Sequence, residues 1–138
     1  MDIKKTKRRV ATLAVSAAAI SGLALSTAAP ASAWTQYNGN LESMEFGLYY
    51  NSGQGGCVFD LGSSLGDFAG HTFVGGCSGS GQKTNDNTAS YWSRSSSTWY
   101  VWTDHYQEGT RGSIPAGYSG NASDTYKNKI SSASWIIF

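Results

Sequence analysis

The sequence predicts an all-β protein, a sandwich or a Greek-key pair rather than an open sheet, in a single domain closed by one disulfide. Three observations carry this. After Ala33 no stretch sustains apolar residues at i, i+3 and i+4, whereas Gly, Ser, Asn and Thr recur every few residues. All 18 aromatic residues lie in this part and gather in short runs. Two packed faces can hide that many rings in so short a chain; an open sheet cannot. Finally, one design is used twice: Trp102 and Gly109 have the spacing of Tyr49 and Gly56.

The first element is not part of the fold. Lys4, Lys5, Lys7, Arg8 and Arg9 precede an apolar run to about Ala29 and then Ala31-Ser32-Ala33. This is the pattern of a secretory signal peptide, residues 1–33, with an A-x-A site cleaved after Ala33. The expected product is a secreted, extracellular domain of residues 34–138. The run is too short and too rich in small residues to be kept as a membrane anchor.

In the domain, Gly47-Leu-Tyr-Tyr-Asn-Ser-Gly-Gln-Gly-Gly-Cys-Val-Phe59 reads as two strands joined by a fold-over that needs residues tolerant of positive φ. Candidate strands are residues 43–51, 57–61, 71–74, 90–94, 98–103, 112–114 and 134–137. Residues 67–70 and 125–128 read as single helical turns. Alternation in 98–103 sets Trp99 and Val101 on one face and Tyr100 and Trp102 on the other. Thr103-Asp-His-Tyr-Gln-Glu108 is the turn of the second hairpin.

Charge and cysteines narrow the function. The leader takes with it five of the ten basic residues and Asp2, leaving five basic against eight acidic residues and a net charge of −3. With no Lys/Arg cluster left, nucleic acid and anionic membrane surfaces are excluded as expected partners, and a monomer is expected. Cys57 and Cys77 are the two cysteines. Export sets them in an oxidising compartment, and with no CxxC and no His at ligand spacing they are expected to form one structural disulfide. Closing such a loop is worth roughly 3 kcal/mol on the chain-entropy model.

Each half ends in a second shared segment, Asn85-Asp-Asn-Thr-Ala-Ser90 and Lys127-Asn-Lys-Ile-Ser-Ser132. Here the chain resembles the βγ-crystallin superfamily, whose Greek-key halves pair an aromatic strand and glycine turn with a segment of the form N/D-N/D-x-x-S/T-S. Read as Asp86 to Tyr91, five positions fit and Tyr91 does not; read as Lys127 to Ser132, five fit and Lys127 does not. The resemblance implies a βγ-crystallin-like double Greek-key sandwich and a Ca²⁺ cofactor held by Asp86, Asn87, Ser90, Asn128 and Ser131, all hard oxygen donors. The plainer reading is that these side chains cap tight turns.

A closer resemblance lies in GLYYNSGQGG, Asp67-Phe-Ala-Gly-His-Thr-Phe73 and Ser78-Gly-Ser-Gly-Gln82 leading into NDNTAS. In order and spacing these look like the secreted peptidase-inhibitor family typified by the Streptomyces metalloproteinase inhibitor. That resemblance implies a partner, an extracellular metalloprotease, whose cleft is blocked by a rigid loop, and it implies no catalysis. The exposed candidates are residues 75–82 and 94–98, and no residue is assigned as the reactive site. His71 and His105 are the two imidazoles, and no nucleophile-elbow pattern accompanies the serines. A different class is a calcium-binding extracellular or toxin-like module without inhibitory activity, using Trp92, Trp99, Tyr100 and Trp102 as a stacking surface.

Overall fold

The computed structural model describes residues 35–137; the expected leader and its cleavage site, together with Trp34 and Phe138, lie outside the described residues. Two hairpins set the frame. Strands β1 (Phe46–Asn51) and β2 (Gly55–Leu61) form the first, and β4 (Trp99–Trp102) and β5 (Arg111–Ile114) the second. Gly56 and Gly109 both take positive φ, 72° and 80°. A Cβ at Gly56 would come within 2.7 Å of the Ser78 carbonyl oxygen, so glycine is required there by space as well as by backbone conformation.

The remaining strands are β3 (Ser90–Ser93), β6 (Ser119–Asn121) and β7 (Ser132–Ser134). All pairings are antiparallel, in sheets of order β2-β1-β3-β6 and β5-β4-β7. β6 belongs to the second half of the chain but pairs with β3 of the first, Tyr91 opposite Gly120. The exchange is reciprocal. Leu65, from the first half, trades both backbone hydrogen bonds with Ala133 of β7, at 2.8 and 3.0 Å. Each half therefore completes the other's sheet.

The core lies between the two inner faces. Phe46, Leu48, Phe59, Leu61, Phe68 and Phe73 of the first half meet Trp99, Val101, Ile114 and Ile130 of the second. Phe46 and Trp99 stack at 4.9 Å with their planes 13° apart, joining equivalent positions of the two hairpins. The alternation expected in residues 98–103 holds, and the outer face is also covered. Trp102 is buried, and Tyr100 is half-buried beneath the Arg111 guanidinium at 5.5 Å. Cys57 and Cys77 form the expected disulfide, with Cα atoms 5.2 Å apart.

Three expectations are corrected. Residues 71–74 are not a strand: Thr72 makes one bridge to Lys83, and Phe73 turns into the core from a loop. The last strand ends at Ser134, and Trp135, Ile136 and Ile137 lie exposed beyond it. β6, Ser-Gly-Asn, carries no apolar alternation and is found only from its pairing.

Two buried carboxylates order residues 35–45: Asp60 of β2 ties the segment to the first sheet, and Glu45 closes a turn within it. Asp60 accepts hydrogen bonds from the backbone N–H groups of Asn38 and Gly39, and Glu45 accepts one from Glu42. Both residues are fully buried, and the second oxygen of Glu45 has no partner among the described residues. Desolvation raises both acids above the ordinary carboxylate value, outweighing the hydrogen bonds that lower them. The folded state therefore holds these protons to higher pH than the unfolded chain does. Their contribution to stability is complete below the ordinary carboxylate range and is lost as pH rises through the folded-state values. The melting temperature is expected to rise as pH is lowered from neutrality toward about 4.5, just above that range, and Glu45→Gln to flatten the rise. A steady fall over that interval in thermal melts would contradict this.

Candidate functional site

The site is built from the second shared segment of each half, and backbone hydrogen bonds fix how the two correspond. Asp86 N–H donates to the Ile130 carbonyl at 3.0 Å, and Asn128 N–H donates to the Thr88 carbonyl at 2.8 Å. This reciprocity pairs Asp86 with Asn128 and Thr88 with Ile130. Asp86 and Asn128 also share a left-handed backbone, φ 58° and 57°, a conformation that Asx residues tolerate. The matching segments are therefore Asn85–Ser90 and Lys127–Ser132, one residue earlier in the first half than the reading that began at Asp86. The positions that depart from the superfamily's form are Ala89 and Lys127, and Tyr91 lies outside it.

The sixth position, serine in both segments, holds the hairpins. Ser90 Oγ donates to the Asn51 carbonyl at 2.6 Å and accepts the Gln54 N–H at 2.9 Å. Ser132 Oγ donates to the Asp104 carbonyl at 2.7 Å and accepts the Gln107 N–H at 3.2 Å. Both serines are buried. Each hydroxyl bonds two backbone groups of its turn, so Ser90 acts in this geometry as a pin for the hairpin. Ser132, absent from the sequence-based site, is its counterpart, and the shared spacing of the two segments was the signal for it.

The other expected ligands divide between two places. Asp86 Oδ1 accepts the Ser131 hydroxyl at 2.9 Å, bringing residues of the two halves together. Beside them Asn85 Nδ2 lies 3.4 Å from Asp86 Oδ2, while Asn85 Oδ1 is buried with no partner among the described residues. A carboxylate and a hydroxyl meet here and an unpartnered amide oxygen lies on the neighbouring residue, all oxygen donors of the kind a hard cation takes. The equivalent place in the other direction holds Asn128, Ala89 and Lys127, which line a recess of about 240 Å³ with Tyr50, Asn51, Ser52 and Asn87. There an amide replaces the carboxylate, a methyl replaces the hydroxyl and an ammonium replaces Asn85. That set does not fit a dication. Asn87, on the recess wall, donates its amide to the Lys83 carbonyl at 3.0 Å and so closes its own turn. Among the described residues no group of three or more His, Cys, Asp or Glu side chains converges on a metal position.

One ion-pair contact lies beside the second hairpin turn. His105 Nδ1 is 2.9 Å from Asp67 Oδ1, and Tyr106, in the left-handed region, puts its hydroxyl 3.5 Å from Asp67 Oδ2. The contact ties the turn of the second hairpin to a first-half loop. No nucleophile is hydrogen-bonded to this imidazole among the described residues.

Exchanged Greek keys with these paired segments define a βγ-crystallin-like domain. No family model matches the chain, and no curated protein matches it. Among solved structures it is similar to one from work on the evolution of the eye-lens βγ-crystallin domain fold, at 18% identity and a TM-score of 0.54, covering 70% of this chain and 89% of that one. It is also similar to a βγ-crystallin from Ciona intestinalis, at 20% identity and a TM-score of 0.52, covering 65% of this chain and 96% of that one. At these identities the likeness is one of fold.

If the serine pins hold the hairpins, Ser90→Ala and Ser132→Ala should each lower the unfolding free energy by about 1–3 kcal/mol, since each removes two part-buried hydrogen bonds to the turn backbone. Urea unfolding measures this. Near-neutral values for both would show that the turns stand without them.

Proposed function

We propose that this chain is a secreted inhibitor of metalloproteases that blocks the active-site cleft with the loop of residues 74–82. One observation carries the reading: this loop is both exposed and held in place before any partner arrives. Val74, Gly75, Gly76, Ser78 and Ser80 are exposed. Beneath them the Cys57–Cys77 disulfide anchors the loop to β2, and Cys57 N–H donates to the Ser78 carbonyl at 2.9 Å. Phe73 and residues 81–82 close its base through N–H···O bonds of 2.9 and 2.8 Å. Gly79 lies against the ring of Tyr50, where a side chain would collide. A segment already ordered loses little conformational freedom on binding, which is what an inhibitory loop requires. Residues 94–98 are fixed at Arg94 by backbone bonds to Met44 and Glu45, but Ser95 to Ser97 are braced by short serine turns with no covalent link, and they make the weaker candidate. The role involves no catalysis.

The oxygen cluster of Asp86, Ser131 and Asn85 favours a second reading, a calcium-binding extracellular module. In it Asp86 supplies the charge, Ser131 and Asn85 supply neutral oxygens, and Lys127 keeps the other position free of metal. Calcium bound there would tie the halves together.

A single experiment separates the two. The purified protein is titrated against a thermolysin-type metalloprotease and a serine protease, with and without Ca²⁺, with the disulfide intact and reduced. Stoichiometric inhibition of the metalloprotease, lost on reduction or in Val74→Asp, is expected. No inhibition in any arm would overturn the inhibitor reading. The calcium reading then stands or falls on calorimetry: one equivalent bound and lost in Asp86→Ala, against no heat at millimolar Ca²⁺.

A further inference from the structure

The two hairpins correspond residue by residue, so a position filled in one half and vacant in the other is informative. Leu48 faces Phe59 across the first hairpin, and Val101 faces Gly112 across the second. Phe68 N–H donates to the Ser131 carbonyl and Ala122 N–H donates to the equivalent carbonyl of Ala89, both at 3.0 Å. The first half thus has a phenylalanine pair, its rings 5.2 Å apart at 82°, where the second has glycine and alanine. In the first half Tyr37 stacks on this pair at 5.5 Å from Phe59 and His71 packs alongside at 5.4 Å. In the second half the space is open.

Part of the vacancy is taken by Tyr126. Its ring lies against Gly112, where a Cβ would approach Cζ to 2.8 Å, and its hydroxyl donates to the Arg111 carbonyl at 2.7 Å. What remains is a pocket of about 210 Å³ lined by Gly112, Ala122 and the side chains of Val101, Ile114, Ile130 and Tyr91, with Tyr126 as one wall. It opens between the edge strands β5 and β6, and Ser113 and Ser123 stand among its lining residues as hydroxyl donors. An apolar cavity of about 150 Å³ is enough to take up benzene.

We propose that this pocket is a binding site for a small molecule carrying one aromatic ring with a polar substituent, the ring lying beside Tyr126 on the side of Ala122, where the first half places Phe68. Val101, Ile114 and Ile130 give the ring an apolar floor, Tyr91 and Tyr126 give it aromatic contacts, and the serines receive the substituent. The site shares no lining residue with the 74–82 loop or with the Asp86–Ser131 cluster, which it adjoins through Ile130, and it does not depend on either reading of function.

Phenol is the probe. Added at millimolar concentration to the purified ¹⁵N-labelled protein, it should give saturable shifts at the amides of Val101, Gly112, Ala122 and Ile130, and none at their first-half equivalents Leu48 and Phe59. Ala122→Phe, which restores the Phe68-equivalent ring, should weaken binding at least tenfold and raise the melting temperature. Ala122→Leu is the smaller filling and should act in the same direction if the phenylalanine variant does not fold. Absence of saturable shifts in the unaltered protein overturns the proposal, as does binding unchanged in a folded Ala122 variant.

Discussion

The structure depends on the exchange of backbone between its halves. β6 leaves the second half to extend the first sheet, and Leu65 does the same for the second sheet through its paired bonds with Ala133. The Asp86–Ile130 and Asn128–Thr88 bonds repeat the exchange one layer away. A two-stranded hairpin is marginal by itself in water. Here each hairpin gains a third strand from its own half and a further backbone segment from the other, and the Phe46–Trp99 stack is buried only when both are in place.

Symmetry of backbone has not kept the side chains symmetric. The first half is the filled one, with Phe59, Phe68 and Phe73 in its core, a disulfide on its second strand and the segment before β1 tied to it by Asp60. The second half has Gly112 and Ala122 at the matching core positions and Lys127 at the place of Asn85. Differences of this kind on one scaffold are where separate functions can sit: a braced loop in the first half, an oxygen cluster where the halves meet, and a pocket built mainly from the second.

Much of the fold was legible in the sequence, because glycine turns and aromatic strands are local signals. The Tyr49/Gly56 and Trp102/Gly109 spacing located both hairpins, and the two cysteines, with no CxxC and no His at ligand spacing, pointed to the disulfide. What was illegible depends on non-local partners. Ser119-Gly-Asn becomes a strand only because β3 offers an edge, while Trp135-Ile-Ile has strand-forming residues but, among the described residues, side-chain partners in place of a strand. The candidate site was half legible. Its residue types could be read, but the pairing of Asp86 with Ser131 spans 45 positions, and the register that excludes Tyr91 comes from hydrogen bonds between halves. Ser90 looked like a ligand because a hydroxyl that holds a turn and one that holds a metal are the same residue type in a sequence.

The exchange makes the two halves one cooperative unit, and native-state hydrogen exchange tests that most directly. The amides of Leu65, Asp86, Asn128 and Ala133 should exchange only with global unfolding, at the same free energy as the core-strand amides of Leu48 and Val101. If β4, β5 and β7 exchanged through a separate opening of lower free energy while β1 and β2 stayed protected, the halves would be independent and the account would fail.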